Sequence, residues 1–516
     1  MLLQQVAAAS RATAAEPARN AKVGLLAELL LSLDPADRHA AVVLLSGESR
    51  RMRVGVGPAA LRELPPPAQR PELGIAETER LLHTLAEVQG PGSQAQRSRL
   101  LSGLFSRATA EEQGFLRGVL GGELRQGALD AVMGDAVAKA AGVPVADVRR
   151  ALMFRGSAAA VADAAMDGGS AALRAFGLEL GRPVRPMLAA SAPDVAAALE
   201  RTRPAALEWK LDGIRVQVHR DGDRVGVYTR SLDDITSRVP EVVEAVRALP
   251  VRSVVLDGEA VALDADGRPR PFQVTAARTA SRKDVQALRA EVPLSVFFFD
   301  LLHRDGADLL DAPGERRFQE LAATVPPELR VPRLVTGDDE EARGFFRDAL
   351  ARGQEGVVVK DLGAPYAAGR RGAGWIKVKP RHTLDLVVLA AEWGSGRRRG
   401  WLSNLHLGAR ADGAPGLPEG TGEWVMLGKT FKGLTDEILA RQTRELLLRE
   451  VRRDDWVVHV RPELVVEIAF DGLQRSPRYP AGLTLRFARV LRYREDKRPG
   501  EADTIATVRE LAAEGL

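Results

Sequence analysis

The 516-residue chain contains no cysteine, which excludes disulfides and thiolate zinc sites and makes a reducing cytoplasm the simplest setting. No stretch approaches the ~20 uncharged apolar residues that a membrane-spanning helix requires. The first fifteen residues are alanine-rich but lack an apolar h-region, so no signal peptide is expected. A strong charge of either sign is also missing: 73 Lys and Arg stand against 69 Asp and Glu, a formal net charge of +4. With a sequence pI near 9.4, that balance permits polyanion binding without demonstrating it. There is no internal repeat and no low-complexity segment. What is there is ordinary for a soluble globular protein, 45% hydrophobic and 28% charged residues, in a chain long enough for about three domains.

The first third reads as helical. Leu26, Leu29, Leu30 and Leu33 recur at the spacing of a buried helical stripe. Asp34-Pro35 predicts an N-cap and first helical residue, opening a helix that ends near Gly47. Pro65-Pro66-Pro67 is a stiff break, and Thr109 with Glu112 forms a capping-box pattern. The helix that follows stops at Gly121-Gly122, and the next carries Leu129, Val132, Met133 and Val137 on its inner face. The run Leu120 to Gly127 can be a plain helical hairpin or a turn whose backbone N–H groups meet phosphate.

At Gly181 to Pro186 proline and glycine mark a linker, and strand patterns begin. Arg215 to His219, the turn Asp221-Gly222 and Val225 to Arg230 read as a hairpin. Apolar runs at Val254 to Leu256, Val296 to Phe299 and Gly356 to Val359 alternate with helical stretches at Glu241 to Leu249 and Glu340 to Ala351, as in an α+β domain. Beyond His382 about five strands with one inserted helix, Asp436 to Arg449, suggest a small Greek-key barrel of the OB type. Arg397-Arg398-Arg399 falls in a loop there, either simply solvated or a phosphate contact.

The chemistry centres on Glu208-Trp209-Lys210-Leu211-Asp212-Gly213-Ile214-Arg215. It sets a lysine between two carboxylates, with a glycine that can let backbone approach a ligand closely. Taken alone, Lys210 is either a covalent nucleophile or one more surface lysine. Lys377 and Lys379 share one face of a strand, an arrangement that folding explains poorly and a polyphosphate explains well. Asp257-Gly258-Glu259 and Glu355-Gly356 place carboxylates at strand ends, suited to Mg²⁺ or to sugar hydroxyls. In Phe297-Phe298-Phe299-Asp300 most rings belong to the core, while one can stack on a base.

In order, these segments resemble the covalent nucleotidyltransferases: Lys210-Leu211-Asp212-Gly213, Thr229-Arg230-Ser231, Asp257-Gly258-Glu259, Phe299-Asp300, Glu355-Gly356 with Lys360, and Lys377-Val378-Lys379. Leu485 to Arg489 followed by Arg494-Glu495-Asp496-Lys497 is similar to the last motif of ATP-dependent DNA ligases, with Ala488 where many relatives carry proline. The helical first third, including Gly122 to Gly127, resembles the DNA-binding domain of three-domain ligases.

The resemblance implies an all-α DNA-binding domain over 1–180, an α+β nucleotidyltransferase (adenylation) domain over 181–381 and a β-barrel OB-fold domain over 382–516. It implies an ATP-dependent DNA ligase that seals 5′-phosphate/3′-hydroxyl nicks through lysyl-AMP. Lys210 would be the nucleophile, attacking as a free amine and so needing a pKa below the usual ~10.4. Glu208 would flank the adenine and Phe299 stack on it. Arg215 and Glu259 would contact ribose and phosphate, Arg230 phosphate near the nick, and Arg371, Lys377 and Lys379 the nucleotide's phosphates. Arg494 to Lys497 would orient the departing pyrophosphate. Mg²⁺ (or Mn²⁺) would sit with Glu259 and Glu355, Asp233 being a further candidate. The expected partner is nicked double-stranded DNA, bound by a monomer in the cytoplasm, at the nucleoid if the source is bacterial. An RNA ligase or capping guanylyltransferase shares Lys210 but does not predict the helical first third. A non-catalytic DNA-binding protein predicts losses among Lys210, Glu259 and Lys377, and none is lost. The NAD-dependent ligases carry a four-cysteine zinc site that this chain cannot build.

Overall fold

The computed structural model describes residues 1–48, 54–122, 124, 129–281, 284–367, 371–380, 382–395, 398–417 and 422–513. The chain divides into two compact units, one made of Met1–Ser191, Leu199–Asp338 and Val358–Ile376, the other of Ala192–Ala198, Asp339–Val357 and Lys377–Leu516. No helix among the described residues is long and apolar enough to cross a membrane.

The first unit opens with nine α-helices between Leu3 and Arg174, and the described residues of that stretch contain no strand. Leu26, Leu29 and Leu30 lie on the helix Arg19–Ser32 and Leu33 is its C-cap, all four buried. Pro35 starts the next helix, which ends at Ser46 with Gly47 in the left-handed region (φ 82°). The capping box forms as the sequence predicts: the Thr109 N–H donates to Glu112 Oε2 at 2.8 Å, and the helix Ala110–Gly121 follows. Val132, Met133 and Val137 face the helical core. Glu123, Arg125, Gln126 and Gly127, and with them the phosphate-binding alternative for that turn, lie outside the described residues, as do Arg397 and the Leu129 side chain.

The segment 181–186 is held rather than loose. Arg185 donates to Asp130 Oδ2 at 3.1 Å and to the Gly156 carbonyl at 2.9 Å. It leads into two sheets whose strands are β1 (Leu188–Ser191), β2 (Ala205–Trp209), β3 (Ile214–Asp221), β4 (Arg224–Thr229), β5 (Ser253–Ala262), β6 (Leu294–Arg304), β7 (Ala307–Asp308), β8 (Arg333–Thr336), β9 (Val357–Asp361) and β10 (Arg371–Val378). One sheet has the order β1-β10-β9-β2-β8, the other β4-β3-β5-β6-β7. Val216, Val218, Val254, Leu256, Val296 and Phe298 pack against Val242 and Val246 of the helix Pro240–Arg247.

The second unit is dominated by one sheet: β11 (His382–Trp393), β12 (Leu402–Arg410), β13 (Trp424–Thr430), β14 (Glu450–Arg453), β15 (Val457–Val460) and β16 (Val465–Phe470), then a ribbon of β17 (Gly472–Arg475) and β18 (Leu483–Arg486), and finally β19 (Arg489–Tyr493). β11 pairs with β12 along one edge, and with β16 and then β15 along the other. Its apolar side covers Leu439 and Leu446 of the helix Asp436–Leu448. The ribbon, β19 and the helices Phe272–Ala280, Val285–Glu291 and Ile505–Ala513 are additions that the sequence patterns did not announce.

Candidate active site

Lys210 sits where the chain leaves one sheet and enters the other. β2 ends at Trp209, whose N–H donates to the Pro332 carbonyl at 3.3 Å, and β3 begins at Ile214 in the second sheet. Four residues make this corner, which brings Gly213 against β5. A Cβ on Gly213 would stand 2.4 Å from the Ala260 carbonyl oxygen and 2.8 Å from Val261 Cγ2. The glycine expected to admit a ligand therefore admits a neighbouring strand. The corner that carries Lys210 cannot be closed this tightly around any larger residue.

Beneath the corner lies a buried ionic network. β2 and β8 are antiparallel with Glu208 directly opposite Arg333, so the two side chains share a face. Arg333 Nε donates to Glu208 Oε1 at 2.8 Å, and Lys360 Nζ meets Glu208 Oε2 at 2.5 Å. Both cations also donate to the Phe299 carbonyl, Lys360 at 3.1 Å and Arg333 at 3.3 Å. Burial pulls the Lys360 ammonium below its usual pKa, and the nearby Glu208 and Asp300 carboxylates oppose that pull. The carboxylate of Glu208, expected beside the adenine, is thus engaged by two protein cations.

Arg215 has a similar fate. Its guanidinium donates to Asp257 Oδ2 at 2.7 Å, to the Met187 carbonyl at 2.6 Å and to Tyr366 Oη at 3.3 Å. Tyr366 donates to Asp257 Oδ2 at 2.6 Å, and Gln217 Nε2 to Asp257 Oδ1 at 3.1 Å. Burial works against the guanidinium charge, but Asp257, Tyr366 and Glu259 outweigh it and hold the arginine firmly protonated. Burial also raises the Tyr366 phenol well above its usual pKa, aided by Asp257, so it remains a donor. Much of Arg215's capacity is spent on framing β3 and β5.

Phe299 offers a half-buried ring set edge-on to Trp375, centroids 5.8 Å apart and planes at 83°. Lys360 Nζ stands 4.7 Å from the Phe299 centroid and 4.3 Å from that of Trp375, which fixes both rings by cation–π attraction. Phe298 points into the core. Arg230 is exposed on a turn after β4. That turn is tied by Thr229 Oγ1 to Ser231 Oγ at 2.9 Å and by Ser231 Oγ donating to Asp233 Oδ2 at 2.7 Å. Glu259 lies on β5 opposite Arg215. Arg371 is in β10, with its side chain outside the described residues.

Glu355, Lys377 and Lys379 belong to the second unit. Lys379 Nζ donates to Glu355 Oε1 at 2.9 Å and stands 3.6 Å from Asp471 Oδ2, so carboxylates of the protein already balance part of the charge that was expected to face phosphates. Arg494 and Lys497, also in this unit, both bind Asp385.

Sequence reasoning missed Arg333, Tyr366, Gln217 and the pair Asp300–Arg317, in which Arg317 Nε donates to Asp300 Oδ1 at 2.8 Å with both side chains buried. A signal existed for Arg333, a charged residue at the start of an apolar strand. Tyr366 and Arg317 carried none, because each finds its partner through tertiary contact. Among the described residues no three His, Cys, Asp or Glu side chains form a metal cage. Glu259 belongs to the first unit and Glu355 to the second; a hard carboxylate oxygen of either kind suits a cation held by one or two protein ligands and by substrate phosphates, the usual habit of Mg²⁺.

Three family models match in order: the DNA ligase N terminus over residues 60–138, the ATP dependent DNA ligase domain over 186–379 and the ATP dependent DNA ligase C terminal region over 398–497. A solved structure titled Pmar-Lig_PreS3 covers 95% of this chain and 99% of its own at a TM-score of 0.59 and 17% identity, which shows a common fold. The chain therefore has a multidomain ligase fold, with an N-terminal, a nucleotidyltransferase and a C-terminal domain. The probable DNA ligase of Beutenbergia cavernae is 57% identical over 521 residues, 99% of this chain and 100% of that protein. The probable DNA ligase of Anaeromyxobacter dehalogenans is 57% identical over 517 residues, 99% of each. This chain belongs to the ATP-dependent DNA ligases: it is an enzyme that joins DNA and uses ATP. The RNA-ligase, capping and non-catalytic readings are not favoured.

Proposed function

We propose that Lys210 is the covalent carrier of AMP and that the enzyme seals nicks in duplex DNA in three displacements. The Lys210 amine attacks the α-phosphorus of ATP, forming a P–N bond as the bond to pyrophosphate breaks. The 5′-phosphate of a nick then takes the AMP from lysine, giving an adenylated 5′ end. Lastly the 3′-hydroxyl attacks that 5′-phosphorus, the phosphodiester forms and AMP leaves. Each step is an in-line displacement at phosphorus, so the protein's task is positioning and charge neutralisation. The observation that carries the reading is the place of Lys210: a short corner between two sheets, closed against β5 at Gly213 and underpinned by the Glu208–Lys360–Arg333 network.

The remaining roles follow from chemistry. Phe299, backed by Trp375, is the stacking wall for adenine, and the Glu208 network holds that wall and the corner in register. Arg215 acts mainly by fixing β3 and β5, leaving ribose and phosphate contacts to Glu259, Arg371, Lys377 and Lys379. Arg230 meets DNA phosphate beside the nick, and Arg494 and Lys497 orient pyrophosphate in the first displacement. Glu259 in the first unit and Glu355 in the second are each a carboxylate that would take Mg²⁺, which when bound offsets the charge of the phosphates. The domains are a helical DNA-binding domain over 1–180, an adenylation domain over 181–381 and an OB-fold domain over 382–516, in a monomer. The test is a nick-sealing assay with ATP run beside one with NAD⁺. Sealing with ATP alone, abolished by Lys210→Ala, is the expected result. Sealing that persists in Lys210→Ala, or that needs NAD⁺, contradicts the reading.

A further inference from the structure

Arg494 and Lys497 converge on one side chain that lies in none of the motifs. Arg494 Nη1 donates to Asp385 Oδ2 at 2.7 Å, and Lys497 Nζ donates to the same oxygen at 2.6 Å. Asp385 lies on β11 and is 8% exposed. Its backbone is fixed from two sides. The Asp385 N–H donates to Asp503 Oδ2 at 2.7 Å, and the Asp385 carbonyl accepts from the Asp503 N–H at 2.8 Å. In the sheet Asp385 stands opposite Glu467 on β16, which stands opposite Arg492 on β19. The Arg494 N–H donates to the Val465 carbonyl at 2.8 Å, which folds the basic turn back over β16.

Two cations that share one oxygen stand close enough to repel each other, and the shared carboxylate offsets that repulsion. Asp496 also accepts from Arg494, from Nε at 3.0 Å and from Nη2 at 2.7 Å, but its side chain is 62% exposed, where an ion pair contributes little. Asp385 is nearly buried and rigid, and its second oxygen, Oδ1, is buried without a hydrogen-bond partner among the described residues. The binding capacity it uses faces the two cations. A guanidinium has five N–H donors and an ammonium three, so each cation keeps donors for phosphate oxygens while it remains on Asp385.

We propose that Asp385 is a positioning residue for the first displacement: it holds Arg494 and Lys497 together as a preassembled cationic pair for the departing pyrophosphate. This rests on the three-displacement reading above. Pyrophosphate takes part only in the loading of Lys210, so Asp385 matters to loading and is dispensable for sealing an end that already carries AMP. A merely structural residue would move both steps together.

The test uses the full-length enzyme with Asp385→Asn, which keeps shape and removes charge. Single-turnover formation of the covalent AMP adduct from ATP is measured beside sealing of a nick made with a pre-adenylated 5′ end. The expected result is roughly a tenfold or greater loss in loading, the effect of about one lost charge-assisted contact, with pre-adenylated sealing unchanged and Asp385→Glu recovering part of the loading. Equal losses in both steps, unchanged loading, or faster loading because Asp385 competes with phosphate would each overturn the proposal. If Asp385→Asn does not fold, as thermal melting reports, the same split is read from Asp385→Glu. Wild-type enzyme that takes no AMP at all contradicts the three-displacement reading instead, a result separate from any outcome at Asp385.

Discussion

Glu208 and Lys360 meet at 2.5 Å with side-chain exposures of only 3% and 2%, two residues from the lysine proposed to carry AMP. Breaking a buried pair by removing one charge leaves the other uncompensated, at a cost of about 3–5 kcal/mol. Glu208→Gln leaves both Lys360 and Arg333 without their carboxylate. Lys360→Met leaves the Arg333–Glu208 contact in place. Denaturant unfolding followed at the adenylation domain is expected to show the larger loss for Glu208→Gln. Equal and small losses would mean that the network contributes little to the corner.

His219 makes the fold acid-sensitive. Its Nδ1 accepts from the Gly181 N–H at 3.2 Å, and its Nε2 faces Gln217 Oε1 at 2.9 Å, a pattern that needs the neutral ring. Burial depresses its pKa from 6.5 to about 4, against the attraction of Asp257. Well above pH 6.5 the folded and unfolded rings are both neutral, and His219 adds nothing to the pH dependence of stability. As pH falls from 6.5 to about 4 only the unfolded chain takes the proton, so stability drops, by up to ~3 kcal/mol. His219→Gln is expected to flatten the stability–pH slope in that window. An unchanged slope would contradict the assignment.

Gly213→Ala places a methyl group 2.4 Å from the Ala260 oxygen, a clash relieved only by moving the corner or β5. A shift of about 1 Å in a reacting group can cost ~100-fold in rate. Adduct formation is expected to fall by about that factor while DNA binding, measured by fluorescence anisotropy, is retained. Near wild-type loading would show that the corner can relax.

Arg230 stands exposed on its tied turn. Arg230→Ala is expected to leave adduct formation from ATP intact, to weaken binding to nicked duplex and to reduce the log–log salt slope by about 1. A loading defect with an unchanged salt slope would assign Arg230 to the nucleotide instead.

Much of the fold was legible because it follows a period. The leucine stripe in Arg19–Ser32, the proline-started helix at Pro35 and the β3–β4 hairpin were all read from spacing and turn residues. The helix Phe272–Ala280 was not, since its buried residues are Thr275, Arg278 and Thr279 rather than an apolar stripe. In the candidate site Lys210 follows the end of β2 and Phe299 lies on β6, whereas Asp257 and Glu259, expected at a strand end, lie inside β5 because that strand runs on to Ala262. What stayed hidden is what those residues touch. Gly213 serves strand packing, the Glu208 carboxylate is held by two cations, and Arg215 frames a sheet. Each depends on partners far away in sequence, which a local pattern does not encode.

The proposed function stands on Lys210 itself carrying AMP. The most direct measurement is to incubate the enzyme with ATP, digest it and locate the adenylyl group by peptide mass spectrometry, with release of the group on adding a 5′-phosphorylated nick. AMP is expected on the peptide containing Lys210, discharged by nicked duplex and missing in Lys210→Ala. An adduct on another residue, or sealing in which no adduct ever forms, would contradict it.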